Sequence, residues 1–407
     1  MDRSEGFAER DGAKCFLTGD PIACEIIAIP NFPENQFSYS WSGLGEGYDL
    51  RLTVHRGHAV GILTGAMGRF AINWAQVKEL RQEFFKLDDR LPESGNGKAA
   101  ATSSTQTTSV RPVTMLEAQS MTTTTITPKA ISATTGIDMV VLFTEAARLQ
   151  AGGNPANCSD TDGVQSYIRQ GVRDVDLAFS RSQIDAQLGV VTVAKLNGFT
   201  LIPDDGFYTF VGPNRNALND NANIRAFRDA VGADVVQVLV DTQTNLGPCG
   251  AAFVQASNCT NQGDPTLPSP CLGAPFANHA FYLNTVQCSS SMDVFTHELG
   301  HVLGADHDVA YANTPGYQSY PYAFGYYVSG LFETVMSQQL TPSITRILQF
   351  SNPNVTYGGV TTGNAANADN ARAIGNLVPS TAAFRARPEV IFVSGFDGIP
   401  TCPALNF

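Results

Sequence analysis

The 407-residue sequence is poor in charge and lacks any long apolar run. Charged residues make up 15% of it, and acidic residues exceed basic ones, so that the formal net charge is -12. Nucleic acids and anionic membranes bind basic surfaces, and this charge therefore argues against both as partners. No stretch approaches the roughly 18 apolar residues that a membrane-spanning helix needs. The composition predicts a globular protein with no nucleic-acid partner and no membrane span, and we expect a monomer.

None of the eight cysteines belongs to a C-x-x-C pair, which argues against a cysteine zinc site or a thioredoxin-like motif. An even number of cysteines in Gly-, Pro- and Asn-rich sequence is typical of disulfides formed in an oxidising compartment. Four of them fall within residues 249–288. We expect nested pairs, Cys249 with Cys288 and Cys259 with Cys271, although spacing alone does not fix the connectivity.

The N-terminus also lacks the apolar segment of a secretory signal, because MDRSEGFAERDGAKCF carries acidic residues where that segment would lie. The cysteines favour a signal that has been removed. A sequence rich in Gly, Thr, Ser, Asn and Gln is often met in exported bacterial proteins. We therefore expect a secreted, extracellular protein of bacterial origin.

Composition divides the sequence into four segments. Residues 1–94 contain short β-branched runs bounded by glycine and predict a small β-rich domain. Residues 95–135 are rich in Thr, Ser and Ala; such a segment cannot bury enough apolar surface to become ordered, and it predicts an exposed linker where a maturation cleavage would fall. A second domain spans 136–388, and we assign no element to the apolar tail at 389–407.

Two details of the first domain also carry predictions. The spacing of Val77, Leu80 and Phe84 predicts one apolar face of a helix. His55 and His58 are three residues apart in a strand-like region, which predicts that they point to opposite faces in surface or packing roles.

The second domain alternates between strand and helix patterns. The predicted strands are 137–143, 190–196 and 234–241, and the predicted helices are 164–184 and 221–231. Strand and helix in alternation indicate an α/β domain with a mostly parallel sheet. Residues 250–254 predict a short edge strand, and His279 is expected to be structural.

The segment HELGHVLGADHD at 297–308 contains three of the six histidines. Residues four apart share one face of a helix, so His297 and His301 can offer two imidazoles to one metal ion. Glu298 is rotated by about 100° from His297 and can reach a metal-bound water as its general base. Gly304 predicts a helix end with positive φ, after which the chain turns and brings His307 to the metal. Three protein ligands with an open fourth position predict a single catalytic zinc ion.

The complete pattern HExxHxxGxxH resembles that of the metzincin zinc proteases. Asp308, directly after the third histidine, makes the sequence most similar to the reprolysin/adamalysin branch and its bacterial relatives, including the peptidyl-Asp metallopeptidases. Gln338 stands where astacin-like enzymes carry a tyrosine, so a tyrosine metal ligand is not expected. The resemblance covers roughly 136–386.

The resemblance implies a mixed, mostly parallel twisted sheet with long helices, an active-site helix and a Met-turn. Met336 in the segment TVMS matches that turn and would form an apolar floor beneath the histidines. The first domain is similar to the propeptides of such enzymes, which implies a zymogen whose own prodomain acts as an intramolecular inhibitor. Cys15 and Cys24 are candidates for a zinc-binding cysteine in the latent form, but their spacing favours a local disulfide.

The resemblance also implies how a protein or peptide substrate would bind. An edge strand above the zinc pairs with an extended peptide in metzincins, and our candidate residues for it are Gly250, Ala251 and Ala252. Arg346 lies in the loop after Met336, where a buried cation would favour an acidic residue after the scissile bond. An ordinary surface or helix-end cation is an equally good interpretation of Arg346. Calcium binding is possible for such a protein, but nothing in the sequence indicates it.

Two other functions remain open at this point. A non-catalytic adhesin or toxin domain could keep the metal for stability, but the intact Glu298 argues against it because a structural site needs no base. A zinc hydrolase with a non-peptide substrate would use the same residues. The sequence favours a secreted zinc endopeptidase over both.

Overall fold

A computed structural model of the chain describes residues 14–17, 20–25, 38–45, 48–65, 68–74, 84–86, 135–196, 211–241, 249–260, 262, 264–291, 293–312, 318–338 and 344–386. The predicted linker at 95–135 lies outside them except for its last residue, and the tail at 389–407 lies outside them entirely. Cys15 and Cys24 are described only in their backbone, so the disulfide predicted for them falls outside the described side chains.

The N-terminal part forms an antiparallel sheet, as its β-branched runs predict. Its strands follow one another in chain order: β1 (Lys14–Leu17), β2 (Asp20–Glu25), β3 (Ser38–Gly45), β4 (Tyr48–His55), β5 (His58–Gly65), β6 (Gly68–Trp74) and β7 (Phe84–Lys86). Each strand pairs antiparallel with the next, and only two residues separate β3 from β4, β4 from β5 and β5 from β6. We call β1–β7 the N-terminal sheet.

Two predictions for this region are wrong. Phe84 opens a strand, so the predicted helix does not hold at that residue, while Val77 and Leu80 lie outside the described part. His55 and His58 are directly opposite each other across the β4–β5 hairpin, and such partners project to the same face of a sheet. The tight turn between them, with φ of 47° at Arg56 and 90° at Gly57, breaks the alternation that a continuous strand would show.

The second domain is built on a five-stranded mixed sheet. Its strands are β8 (Thr135–Thr144), β9 (Ala186–Leu196), β10 (Val235–Val240), β11 (Gly250–Ala252) and β12 (Phe281–Thr285). The spatial order is β11-β12-β10-β8-β9, with every pair parallel except β11 with β12. All of the predicted strands are confirmed, including the short edge strand at Gly250. The apolar runs are continuous in β8 and β10 because helices cover both faces of a parallel sheet.

Seven α-helices accompany this sheet in the described part. They are α1 (Glu145–Gln150), α2 (Asp162–Arg181), α3 (Val211–Asp220), α4 (Ala222–Val231), α5 (Val286–Ser291), α6 (Val294–Val302) and α7 (Asn370–Thr381). The predicted helices correspond to α2 and α4. Val164, Ile168, Val172 and Val175 form the buried apolar face of α2, as their spacing predicts. None of the described helices is both long and apolar enough to span a membrane.

The described part of the chain after α6 contains several short strands. They are β13 (Asp306–Asp308), β14 (Phe324–Gly325), β15 (Tyr327–Val328), β16 (Phe332–Glu333), β17 (Thr345–Arg346), β18 (Thr356–Tyr357) and β19 (Val360–Thr361), and a 3-10 helix at Ala274–His279 precedes β12. The parallel pairing of β13 with β14 joins the end of the HELGHVLGADHD segment to the chain that leads to Met336.

Both predicted disulfides are confirmed: Cys249 is bonded to Cys288 and Cys259 to Cys271. The Cys249–Cys288 bond joins the start of β11 to α5 and packs against Val294, the first residue of α6. It therefore links the edge strand to the helix that carries the candidate ligands. Cys158 is also disulfide-bonded.

Candidate active site

Helix α6 brings the three predicted metal ligands together. His297 and His301 lie on one face of it, one turn apart, and His307 follows from β13. Nε2 of His307 is 3.2 Å from Nε2 of His297 and 3.0 Å from Nε2 of His301. Among the described residues, these three histidines form the group whose ligand atoms lie close enough to hold a metal ion.

A glycine turn after α6 produces this convergence. Gly304 has φ of +85°, in the left-handed region that favours glycine. Its amide donates to the carbonyl of His301 at 2.9 Å, and the amide of Ala305 donates to the carbonyl of Gly300 at 2.8 Å. These two bonds define a Schellman motif, which satisfies the last carbonyls of the helix and reverses the chain. The predicted conformation of Gly304 is confirmed.

Hydrogen bonds to backbone carbonyls orient the imidazole rings. Nδ1 of His297 lies 2.9 Å from the carbonyl oxygen of Val335, and Nδ1 of His301 lies 2.9 Å from that of Ala305. Since a carbonyl only accepts, each Nδ1 carries the proton and donates it. Each Nε2 then presents a lone pair toward the shared centre, which is the tautomer that a metal ligand requires.

The charge state of the histidines also suits a metal. Burial lowers the pKa of His297 to about 4, although its bond to Val335 opposes this. Burial, reinforced by the neighbouring His297, lowers the pKa of His301 to about 3. Burial and the other two histidines hold the pKa of His307 well below its ordinary value. All three are therefore neutral at pH 7, as a coordinating imidazole must be.

The spacing of the three nitrogens fits zinc. Tetrahedral zinc with Zn–N distances of 2.0–2.1 Å places its nitrogen ligands about 3.3–3.4 Å apart. The measured 3.0 and 3.2 Å are close to that value. Three neutral imidazoles with converging lone pairs are a donor set for zinc, so the residues present fit this ion.

Met336 lies directly beneath α6, and Gly300 makes room for it. Met336 is fully buried, and a Cβ at Gly300 would lie 2.6 Å from its sulfur. Glycine is therefore required at this position even though it is unfavourable inside a helix. In the sequence, only Gly300 itself pointed to this contact. The prediction of the metal ligands from the spacing of the histidines did not use it.

Asp308 ties the histidine segment to the turn around Met336. Its Oδ2 accepts from the Ser337 hydroxyl at 3.0 Å and from the Gln338 amide at 2.9 Å. The segment that supplies the Val335 carbonyl is thus anchored to the residue directly after His307. The sequence identified Asp308 only as a family marker, because nothing in its spacing reveals a bond to residues 29 and 30 positions away.

Glu298 is fully buried beside the edge strand β11. A Cβ at Gly250 would lie 2.8 Å from Oε1 of Glu298 and 2.8 Å from a methyl carbon of Val294. Any other residue at position 250 would displace the carboxylate. The predicted base and the predicted substrate-binding strand therefore lie in contact.

The register of β11 shows which of its polar groups face outward. The amide of Thr285 donates to the carbonyl of Cys249, and the amide of Phe253 donates to that of Phe281. In an antiparallel pair the hydrogen-bonded positions alternate, so the amides and carbonyls of Gly250 and Ala252 face away from β12.

A neighbouring arginine already occupies part of that outer edge. The carbonyl of Ala252 accepts from Nη1 of Arg215 at 2.8 Å, and the guanidinium of Arg215 stacks on the Phe253 ring at 3.9 Å. Gln262 binds both polar backbone groups of Val254. Beyond Ala252 the edge is thus closed by side chains, and the outward groups of Gly250 lie nearest to Glu298.

Arg346 is buried behind the turn around Met336. Its Nε donates to Oε1 of Glu333 at 2.9 Å, and its Nη2 donates to the carbonyl of Ser337 at 2.8 Å. Glu333 therefore neutralises the charge of Arg346. The sequence gave no reason to expect this ion pair. His279 contacts Asp264 at 3.3 Å and packs edge-on against Phe253, in agreement with a structural role.

Comparison with known proteins agrees with this site. The model of the family Reprolysin_5, described as metallo-peptidase family M12, matches residues 133–351. The peptidyl-Asp metalloendopeptidase of Stenotrophomonas maltophilia strain K279a is 27% identical over 256 residues, which cover 61% of this chain and 52% of that protein. The protein of the same name from Xanthomonas campestris pv. campestris is 37% identical over 98 residues, 24% of this chain and 23% of that protein. The alignment with the Stenotrophomonas protein spans about half of that relative's length.

Solved structures show weaker similarity. Metalloproteinase-II from Bacteroides fragilis aligns with a TM-score of 0.40 and 11% identity over 81% of this chain and 83% of that one. A chain from the structure of a chaperone-substrate complex aligns with a TM-score of 0.45 and 14% identity over 83% of this chain and 39% of that one. The family match covers more than half of the sequence and includes the complete histidine motif. The chain therefore belongs to metallo-peptidase family M12, in its reprolysin-like branch.

Proposed function

We propose that this protein is a zinc-dependent endopeptidase in which His297, His301 and His307 hold the ion and Glu298 is the general base. The observation that carries the proposal is the convergence of three neutral imidazoles, two of them oriented by backbone carbonyls, beside a buried carboxylate and an outward-facing strand edge. Zinc, when bound there, polarises a peptide carbonyl and makes water acidic enough to lose a proton near neutral pH.

Glu298 accepts that proton and later transfers it. Its place one residue after His297 leaves it outside the ligand set but beside the ligands. The carboxylate accepts the proton of the attacking water and transfers it to the amine of the leaving peptide, so one group acts first as base and then as acid. Burial keeps bulk water away from this exchange.

The edge strand β11 supplies the binding surface for an extended peptide. The outward amide and carbonyl of Gly250 can pair with a substrate backbone, as β-strand addition requires. Because Gly250 touches Glu298, a peptide bound there passes directly over the base. Arg215 and Gln262 limit this pairing to the first part of the strand.

A preference for acidic residues is suggested by relatives whose names describe peptidyl-Asp activity. Arg346 is our candidate for recognising such a residue after the scissile bond. Its burial in β17 is at odds with the surface or helix-end cation that the sequence also allowed, and its bonds to Glu333 and Ser337 favour a third role, support of the turn around Met336. Replacing Arg346 with Met decides between them: substrate recognition requires a changed residue preference, whereas support of the turn predicts lower stability with the same preference.

We also propose that the protein is secreted and made as a zymogen that cleavage within 95–135 activates, with residues 1–94 as its inhibitory prodomain. The paired cysteines of the second domain support an oxidising compartment. Purified full-length protein that cleaves casein immediately, without becoming shorter, would contradict latency.

The function is tested by incubating the protein with a mixed peptide library and mapping the cleavages by mass spectrometry. Glu298→Gln should lower kcat/KM by about 10²–10⁴-fold while zinc content stays unchanged. Asp229→Asn, at an exposed carboxylate of α4, is the control and should retain activity. A chelator should abolish cleavage, and added zinc should restore it.

Three outcomes of this experiment would contradict the proposal. Cleavage that survives in Glu298→Gln would exclude this mechanism. No cleavage by the wild type, even after limited proteolysis within 95–135, would favour the non-catalytic metal-binding domain, and hydrolysis of small amides alone would favour a non-peptide substrate.

A further inference from the structure

Asp293, the residue just before helix α6, has an unusual conformation. Asp293 occupies the N-cap position of α6, where an aspartate ordinarily accepts hydrogen bonds from the first amides of the helix. Here its side chain makes no capping bond, and its φ is 58°, which is uncommon for a residue other than glycine. Asp293 is also fully buried. Some other contact therefore holds its carboxylate.

That contact comes from the N-terminal sheet. Nη1 of Arg51 in β4 lies 2.8 Å from Oδ1 of Asp293, and Nη2 of Arg69 in β6 lies 2.5 Å from its Oδ2. Nη1 of Arg51 also lies 2.9 Å from Oδ1 of Asp174 in α2. Two guanidinium groups thus bind two carboxylates in an interior where all four side chains are nearly or fully buried.

The pKa values agree with this division of charge. Burial alone would raise the pKa of Asp293, but the charges of Arg51 and Arg69 outweigh it and hold the pKa below its ordinary value. Burial raises the pKa of Asp174, against the opposing effect of Arg51 and with the added repulsion of Asp293. The second domain therefore brings two acids together, and the described cations that neutralise them belong to the N-terminal sheet.

The rest of α2 is complementary to the same sheet. The face of the helix opposite its apolar residues is polar yet buried. Nη2 of Arg173 donates to the hydroxyl of Ser42 at 2.6 Å, and Arg181 donates to both carboxylate oxygens of Asp49 at 2.7 and 3.0 Å. A helix face that would otherwise be a solvated surface is covered by specific partners over most of its length.

We propose that the N-terminal sheet is a lasting structural part of the catalytic unit, that it stays bound after the linker is cut, so that activation by the cut does not require its release, and that Arg51 and Arg69 are positioning residues for the metal-binding helix. His297 follows Asp293 by one helical turn, and its amide donates to the carbonyl of Asp293 at 2.9 Å. A displacement of Asp293 therefore moves the first ligand.

The physical reason is the cost of leaving buried charge without its partner. Release of the sheet would leave Asp174 and Asp293 facing each other with no guanidinium between them, and like charges so close repel. Hydrogen-bonded charge pairs that are buried in an interface chiefly slow its dissociation. The inference does not depend on peptidase activity, since it concerns association and metal geometry.

The first test measures association. A recognition site for a sequence-specific protease is inserted within 95–135 of the full chain, in a Glu298→Gln background that prevents self-cleavage, and the cut protein is passed over a sizing column at about 0.15 M salt. We expect both fragments to elute together. Arg51→Met and Arg69→Met should speed dissociation at least tenfold, whereas Arg56→Met should not, because Arg56 is a half-exposed arginine of the same sheet 3.6 Å from Asp162.

The second test measures the metal site itself, with the cobalt(II) ion as the probe and its visible absorption spectrum as the readout. Arg51→Met or Arg69→Met should change the spectrum and weaken cobalt binding at least tenfold. Arg69→Lys, which keeps the charge, should restore the wild-type spectrum. Because loss of a guanidinium can unfold the chain, circular dichroism identifies the variants that remain folded, and Arg69→Lys provides the comparison if the others do not.

Three results would overturn the proposal. The first is separation of the cut fragments while the C-terminal one stays folded and keeps its cobalt spectrum. The second is co-elution that is equally stable in the Arg51, Arg69 and Arg56 variants. The third is a folded Arg69→Met variant with an unchanged cobalt spectrum.

Discussion

The two ends of helix α6 are held in different ways. At its C-terminal end, a glycine with φ of +85° and two backbone hydrogen bonds within six residues turn the chain toward His307. At its N-terminal end, Asp293 is held by Arg51 and Arg69, which are 242 and 224 residues away in sequence. The same short helix thus combines a local motif with a contact that only the folded chain can make.

This comparison of the two ends of α6 shows that one contact brings the three histidines together, whereas another fixes where the helix lies in the protein. The C-terminal turn sets the direction of His307 relative to the other two histidines, and any chain with this motif can form it. The N-terminal contact instead places the whole helix against α2 and the sheet. Each end should therefore respond to substitution in its own way.

The largest effect is expected at the N-terminal end. Arg69→Met and Asp293→Asn should each lower the free energy of unfolding by about 3–5 kcal/mol, because each leaves a buried charged or polar group without its partner. The double variant should lose much less than the sum, and urea denaturation of the full chain measures this coupling. Arg56→Met, at an exposed pair, should cost about 0–1 kcal/mol. Equal losses at Arg69 and Arg56 would mean that the buried pair at the N-terminal end of α6 contributes no more than an exposed one.

A somewhat smaller effect is expected at the C-terminal end. Gly304→Ala should lower the free energy of unfolding by about 2–4 kcal/mol, since the new Cβ combines an unfavourable φ with a clash against Leu377. Gly330→Ala is the matched control, with φ of +73° and no atom within 4 Å of the added Cβ, and should cost about 1–2 kcal/mol. The two variants are compared by thermal or chemical denaturation. If they cost the same, packing at Leu377 plays no part in holding the turn.

The smallest effect on stability is expected for the ion pair between Arg181 of α2 and Asp49 of β4, and this effect should depend on pH. Burial would raise the pKa of Asp49, but Arg181 outweighs it and holds the pKa below the ordinary value of 3.8. A lowered folded-state pKa adds stability above pH 3.8 that is lost as the pH falls through the folded value. Asp49→Asn should therefore cost about 1 kcal/mol at pH 7 and progressively less as the pH falls below 3.8, as denaturation at several pH values would measure. A cost independent of pH would mean that packing, and not charge, joins Asp49 to Arg181.

Much of the second domain follows from its sequence. The strands β8, β9 and β10 and the helices α2 and α4 coincide with predicted segments because each has a continuous apolar run or a clear 3-to-4 spacing. The nested disulfides of residues 249–288 were also predicted correctly. Local patterns sufficed for the strands and helices because these elements depend on neighbouring residues, whereas the disulfide pairing was an expectation that spacing alone did not fix.

The errors arise where a turn or a distant residue decides the outcome. His55 and His58 were placed on opposite faces because the hairpin at Arg56 and Gly57 was not recognised. The buried partner of Arg346 was missed because Glu333 comes from another strand of the same small sheet. The contact of Gly250 with Glu298 was equally invisible, since 48 positions of sequence separate the strand from the helix.

The sequence by itself predicted the candidate metal ligands and the candidate base, and it determined the turn that brings the three histidines together, because helical periodicity and the conformational freedom of glycine act over a few residues. Tertiary structure alone decided the orientation of the His297 imidazole by Val335, the room for Met336 at Gly300, and the charge balance at Asp293. Those features depend on distances between segments far apart in the chain, and the spacing of residues along a sequence carries no measure of such distances.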